Sequence, residues 1–451
     1  MSASGIRARF NNLARRTGQA IQEGLPHEEN EQSSLLGNVQ NRVQNAVPNS
    51  SNVKQWPARL GRTVWKVISS SYVNLLLIFV PLGIAAGAVD WPAMAIFVLN
   101  FLAIIPLAAL LSFATEELAH TVGPAIGGLL NATFGNAIEL IVSIIALNKG
   151  EYRLVQASIL GSVLVNILLV LGCCFIAGGI RRRDTKYDPT VASIMSACLT
   201  LASSALIVPA ILYSTLRDSA DGDTIDVLAV SRGTAIILIV LYILYLVFQL
   251  RTHSGLFRDD GPEPEGEDYD NENLDPVHAQ SKHHNEEIET TLGPIGALAC
   301  LVVTTVFVGV CAEFLVDSIN EIVETTSMSK TFIGLILLPI VSNAAEHVTA
   351  VIVSWKGKMN LALLVDLGSG LQISLFVTPL LVLLAWAMDK PLSLHFQLFE
   401  TVVFFLSVLV TNFLIRGGTS NYLEGCLCVG WYLIIAVAFF YYPDNDPMTN
   451  G

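Results

Sequence analysis

Polar and apolar residues fall in long blocks along this chain. Residues 1–71 are polar, and from residue 72 onward apolar runs follow one another with short polar breaks between them. The runs cover about 72–89, 92–113, 125–147, 156–180, 192–215, 229–250, 293–316, 332–355, 361–388, 398–415 and 421–441. Each is long enough to cross the roughly 30 Å hydrocarbon core of a bilayer as a helix. Lipid offers the backbone no hydrogen-bond partners, so each is expected to be helical. The pattern therefore predicts an all-α polytopic membrane protein with eleven transmembrane helices.

Composition supports this reading. Charged residues make up 14% of the chain and hydrophobic ones 53%, against about 25% charged in soluble domains. The net charge of −13 is local: Asp259 to Glu289 holds a dozen carboxylates and one lysine, Lys282. The seven cysteines lie in or beside apolar runs and imply no disulfide framework. No apolar stretch follows an initial basic cluster, so no cleavable signal is expected. Within the polar tail, Glu31 with Leu35-Leu36 fits an acidic dileucine signal, which a sorting adaptor would read.

Basic residues in short loops set the orientation. The tail, Arg181–Arg183 with Lys186, Lys356 with Lys358, and Arg416 fall on one side, which is assigned as cytosolic. The N-terminus is then cytosolic and the C-terminus is not, and the acidic linker 251–292 faces the cytosol.

The chain also matches itself 207 residues further on. Gly127 falls on Gly334, Asn136 on Asn343, Glu139 on Glu346, and Gly161-Ser162 on Gly368-Ser369. The repeat units are 92–250 and 293–441, and helix 72–89 stands outside them. Five helices per unit is an odd number, so the second unit enters the membrane from the opposite side. Inverted repeats with a binding site at their interface are a recurring transporter plan.

Gly135-Asn136-Ala137-Ile138-Glu139 and Ser342-Asn343-Ala344-Ala345-Glu346 lie mid-run. Asn and Glu at i, i+3 share a helix face. An ionised side chain at that depth is costly, and no Lys or Arg is near in sequence, which points to a mobile counter-ion. Ca2+ suits such a site, since it takes six to eight hard oxygens at about 2.3–2.6 Å. Glu139, Glu346, Asn136 and Asn343 are the expected ligands, with Ser162, Ser369 and Gln372 as coordinating or supporting oxygens. The two carboxylates titrate as a coupled pair, so protons and Ca2+ compete for the same oxygens. Each pH unit across the membrane is worth about 1.4 kcal/mol per proton. His347, Glu116, Glu117 and Glu313 are candidates for proton relay or for acids lining a vestibule. No nucleophile motif, phosphate loop or zinc spacing points to an enzyme, and no cofactor or nucleic-acid partner is expected.

GNAIELIVSIIAL (135–147), QASILGSVLVN (156–166) and SNAAEHVTAVIVSWKGK (342–358) resemble the cation/proton exchangers of the calcium/cation antiporter superfamily, in particular the fungal vacuolar calcium/proton exchangers. The resemblance covers about residues 70–440. It implies eleven helices, a metal site at Glu139 and Glu346, an acidic linker helix facing the cytosol, and proton-coupled Ca2+ uptake into a vacuole. The tail 442–451 would then be lumenal. Ser342 stands where the first motif has Gly135. Na+-coupled Ca2+ exchange and Mn2+/H+ exchange are the alternative readings.

Overall fold

The computed structural model describes residues 72–122, 124–217, 227–257 and 292–443. The sorting motif Glu31, Leu35 and Leu36, most of the acidic linker and the end of the C-terminal tail lie outside the described residues. The helices are α1 (Val73–Ala88), α2 (Ala93–Val122), α3 (Pro124–Phe134), α4 (Ala137–Asn148), α5 (Tyr152–Arg181), α6 (Pro189–Arg217) and α7 (Val227–Thr252), then α8 (Pro294–Thr325), α9 (Lys330–Ser342), α10 (Ala344–Trp355), α11 (Met359–Ala387), α12 (Leu398–Ile415) and α13 (Tyr422–Phe440). Among the described residues, eight of these are long and apolar enough to cross a membrane. The α9–α10 pair, bent by 57°, makes a ninth if it counts as one span.

Two predicted spans are each a pair of helices. Run 125–147 breaks at Gly135-Asn136, and run 332–355 breaks at Asn343. Asn136 (φ −105°, ψ 34°) and Asn343 (φ −95°, ψ 4°) leave the α region. Asn side chains compete locally for backbone partners. Asn343 Nδ2 donates to the Pro339 carbonyl at 3.0 Å.

Two other spans run on beyond the apolar stretch. α2 continues through Glu116 and Glu117 to Val122, and α8 through Glu313 to Thr325. Glu117, buried in α2, accepts a hydrogen bond from the Leu292 amide at 2.8 Å, so its charge does not end the helix.

The packing exchanges partners under the 207-residue offset. α4 packs on α8 while α10 packs on α2; by order within each repeat, α5 packs on α13 while α7 packs on α11. The α5–α9 contact is especially close: a Cβ on Gly161 would overlap the Leu335 carbonyl. Glycine is required there because backbone meets backbone.

Each end of the bundle is fastened differently. At one end Lys149 pairs with Asp317, Lys330 pairs with Glu151 at 3.0 Å, and Arg153 pairs with the fully buried Glu400 at 2.6 Å. At the other, Arg181 and Arg182 donate to the Trp355 and Gly357 carbonyls at 3.1 and 3.3 Å. There β1 (Thr185–Lys186) also pairs antiparallel with β2 (Thr419–Ser420).

Candidate ion-binding site

Glu139 and Glu346 stand in the first turns of α4 and α10, directly after the two breaks. A helix N-terminus favours an anionic side chain, and a C-terminus favours a cation. At each break one helix ends where the next begins, so both ends meet beside the carboxylates. Interrupted helices of this kind place ion sites within membranes.

The half-sites interlock. Ser369 Oγ donates to Asn136 Oδ1 at 3.0 Å, and Asn343 Nδ2 donates to Ser162 Oγ at 3.4 Å. These two bonds exchange under the 207-residue offset, so each motif Asn is held by the serine of the opposite half. Asn166 Nδ2 also donates to Ser369 Oγ at 3.0 Å, a contact without a repeat counterpart, since the matching position is Ile373.

The glutamates cross over as well. Glu139 shares a small cavity with Ser342, Ser158, Val142, Ile104, Leu315, Leu338 and Val341, and Ser342 is within hydrogen-bonding reach of its carboxylate. The cavity, about 10 Å³, has room for about one water-sized guest. A Cβ on Gly135 would lie 3.6 Å from Glu346 Oε1 and 3.5 Å from Gln372 Oε1. Each glutamate thus reaches the residue preceding the Asn of the other motif.

Glu139 is 5% exposed, and its Oε1 has no hydrogen-bond partner. Glu346 Oε2 and Asn136 Nδ2 are likewise buried without partners. Neither glutamate joins an ion pair among the described residues. Buried polar atoms are normally satisfied, and a buried charge is normally paired. Two orphaned carboxylate oxygens and an idle amide at one junction leave coordination capacity for a positive guest.

Sequence reasoning brings together Glu139, Glu346, Asn136, Asn343, Ser162, Ser369 and Gln372, and the structure gathers all seven at this junction. The other candidates lie apart. Glu116 is exposed and pairs with His120 at 3.8 Å. Glu313 is exposed on α8 near Lys149. Glu117 holds the backbone before α8. His347, on α10, has a buried Nε2 without a partner.

Sequence reasoning passed over Asp366, which is 2% exposed on α11. Its signal was a carboxylate inside the apolar run 361–388, the same criterion that singled out Glu139 and Glu346. Ser342 was noted only as a departure from Gly135, yet it faces Glu139.

Fold and sequence together define a polytopic helical membrane protein with a candidate ion site where two broken helices meet. Residues 92–251 and 296–441 match the sodium/calcium exchanger protein family, and the chain belongs to that family. It is 48% identical over 377 residues to the vacuolar calcium ion transporter of Schizosaccharomyces pombe, covering 84% of this chain and 86% of that one. It is 40% identical over 368 residues to a Ca(2+)/H(+) antiporter of Aphanothece halophytica, covering 82% and 96%. Among solved structures, native YfkE superposes with a TM-score of 0.67 at 32% identity, over 82% of this chain and all of the other. The H+/Ca2+ exchanger CAX shares the fold at a TM-score of 0.60 and 11% identity, over 85% and 89%.

Proposed function

We propose that this chain is a secondary antiporter that exchanges cytosolic Ca2+ for lumenal H+ and so loads Ca2+ into an acidic vacuole. The observation that carries the proposal is the pair of buried carboxylates, Glu139 and Glu346, each with one unpartnered oxygen, at mirrored helix breaks and without a fixed cation among the described residues. With both ionised, the junction accepts a divalent cation, with Asn136, Asn343, Ser162, Ser369 and Gln372 completing or orienting the shell. With both protonated, it is neutral and empty. An apolar surround penalises a singly loaded, charged intermediate, so Ca2+ leaves as protons arrive. The names of the vacuolar and Ca2+/H+ relatives agree with this cargo.

The proposal includes eleven membrane crossings. α3–α4 and α9–α10 each cross as one broken span, and α1 stands outside two inverted five-helix repeats. The exchange of packing partners supports that layout. The N-terminus is cytosolic and the C-terminus lumenal, as the distribution of Lys and Arg implies.

The test is Ca2+ uptake by purified protein in liposomes with an acidic interior. Uphill accumulation that vanishes when the pH gradient is collapsed is the expected outcome. Uptake that follows a Na+ gradient and ignores pH would overturn the reading in favour of Na+-coupled exchange. Parallel Mn2+ uptake measures cargo choice. Raising the pH on the loading side should lower the Ca2+ concentration for half-maximal uptake, because fewer protons compete.

A further inference from the structure

A second cavity shares no lining residue with the one at Glu139. It holds about 310 Å³ between α6, α7 and the π-helical turn Ile373–Val377 of α11, three segments that pack on one another. Cys198 of α6, Leu241, Tyr245 and Phe248 of α7, and Leu375 of α11 line it. Leu201 and Leu244, also in the lining, are exposed, so the cavity opens on the outer flank of the bundle. It lies in the half nearest β1: α6 starts just after β1, and Phe248 is one turn from the end of α7. Leu241 is two turns deeper, about 10 Å along the helix.

One polar group stands in this apolar lining without a partner. Tyr245 is 9% exposed, and its hydroxyl makes no hydrogen bond. Its ring is held from behind by Tyr242, 6.4 Å away, which stacks on Phe376 at 5.0 Å. Buried hydroxyls are normally paired, so the position calls for a guest that is apolar apart from one hydrogen-bonding group. A volume near 310 Å³ is at the small end for ligand pockets, which suits one compact lipid better than a two-chain phospholipid. An acyl chain would leave the Tyr245 hydroxyl unpaired and would lose rotational freedom on binding. A sterol is rigid before it binds and carries one hydroxyl, and pre-organised ligands pay less to bind.

The sequence of α7 agrees independently. A Leu or Val, a Tyr, and a Lys or Arg, spaced one to five residues apart, form a pattern proposed for sterol contact that is weak by itself. Leu241, Tyr245 and Arg251 fit it, with three and five residues between them. Two of the three line this one cavity, and Arg251 is exposed at the end of α7, where a cation meets the membrane surface. We propose that the cavity binds one sterol, its hydroxyl bonded to that of Tyr245 and its rings against Leu241, Cys198 and Leu375.

The test is photolabelling of the full chain in phosphatidylcholine liposomes with a diazirine-bearing cholesterol, followed by peptide mass spectrometry. Labelling should saturate, map to α6, α7 and 373–377, and be displaced by unlabelled cholesterol. A cholesterol analogue without the hydroxyl should compete about fivefold less well on the wild type, the value of one typical hydrogen bond. On Tyr245→Phe the two competitors should be equal. Cys198→Phe, which fills the cavity, should abolish saturable labelling. Labelling of the wild type that does not saturate, or that saturates elsewhere, would overturn the proposal whether or not the variants fold. So would equal competition on the wild type by the hydroxyl-free analogue, or displacement by a free fatty acid as effective as that by cholesterol, which would assign the cavity to an acyl chain.

Discussion

The two half-sites carry the same Asn and Glu at the same spacing, yet their surroundings differ in polarity. Beside Glu346 the chain places His347, Asp366 and Gln372; the matching positions in the first half are Leu140, Ile159 and Val165. The turn before the first Asn is the bare backbone of Gly135, and before the second it is Ser342, which faces Glu139. The 207-residue repeat accounts for the symmetric core of candidate ligands. Under the proposed function the asymmetry is informative: the shared residues suit cation binding, while the additional ionisable groups His347 and Asp366 lie in the second half.

The strongest way to break this comparison is to neutralise one glutamate at a time. Glu139→Gln and Glu346→Gln should each bring pH-driven Ca2+ uptake to background, a loss of more than about 100-fold, because under the proposed function either change removes a charged ligand. Both variants should still fold, since each glutamate already has a carboxylate oxygen without a partner in the native structure. Tracer uptake in liposomes, with thermal melting as a folding control, checks this. If one variant transports at the wild-type rate, the site is a single half-site and the symmetry has no role in transport.

A second prediction compares positions 153 and 360, which also match under the offset. Arg153 forms an ion pair with Glu400, whose side chain is wholly buried. Asn360 makes a neutral bond, accepting from the Asp188 amide at 2.6 Å. Arg153→Met leaves a buried carboxylate unpaired and should cost about 3–5 kcal/mol of stability. Asn360→Ala should cost about 1 kcal/mol. Melting temperatures in detergent measure both, and adding Glu400→Gln to Arg153→Met should recover part of the loss. Equal losses at 153 and 360 would mean that the ends are fastened alike.

Part of this was legible in the sequence because lipid permits few solutions. Apolar length located the eight helices that are long enough to cross a membrane, and the 207-residue offset paired Glu139 with Glu346 and Ser162 with Ser369. The breaks at Asn136 and Asn343 were not legible, because hydropathy is blind to the two dihedral angles that turn one long helix into two. The lengths of α2 and α8 were hidden for another reason. Glu117 reads as a membrane-edge residue until the Leu292 amide, 175 residues away, supplies its partner. Asp366 was visible as a residue but not as a neighbour, since only the packing of α5 and α10 on α11 brings Cys174 and Glu346 near it.

The next prediction sharpens the comparison within the shared core. Ser369 holds Asn136 at 3.0 Å and also receives Asn166, whereas Ser162 is only a 3.4 Å acceptor for Asn343. Residues that orient a metal ligand typically cost 10–100-fold in affinity when removed. Ser369→Ala should therefore raise the Ca2+ concentration for half-maximal uptake by about 10–100-fold. Ser162→Ala should fall at or below the lower end of that range. A larger effect at Ser162 would show that the longer bond tightens once Ca2+ binds, so that the half-sites become more alike when loaded.

The smallest effect is expected at His347, where the two halves differ most plainly beside a glutamate. His347→Leu gives the second half the residue found at position 140 in the first. His347 Nε2 makes no hydrogen bond in the structure, so the change forfeits less than the roughly 1 kcal/mol of a typical bond, about fivefold in affinity. It also removes an unsatisfied buried atom, and stability should hold or rise slightly. The decisive readout is the pH dependence of uptake rather than its size. If His347 only fills space, the profile of His347→Leu overlays that of the wild type. If it passes protons to Glu346, the rate falls most on the side of the profile where proton delivery limits turnover. A proton route would then run along α10.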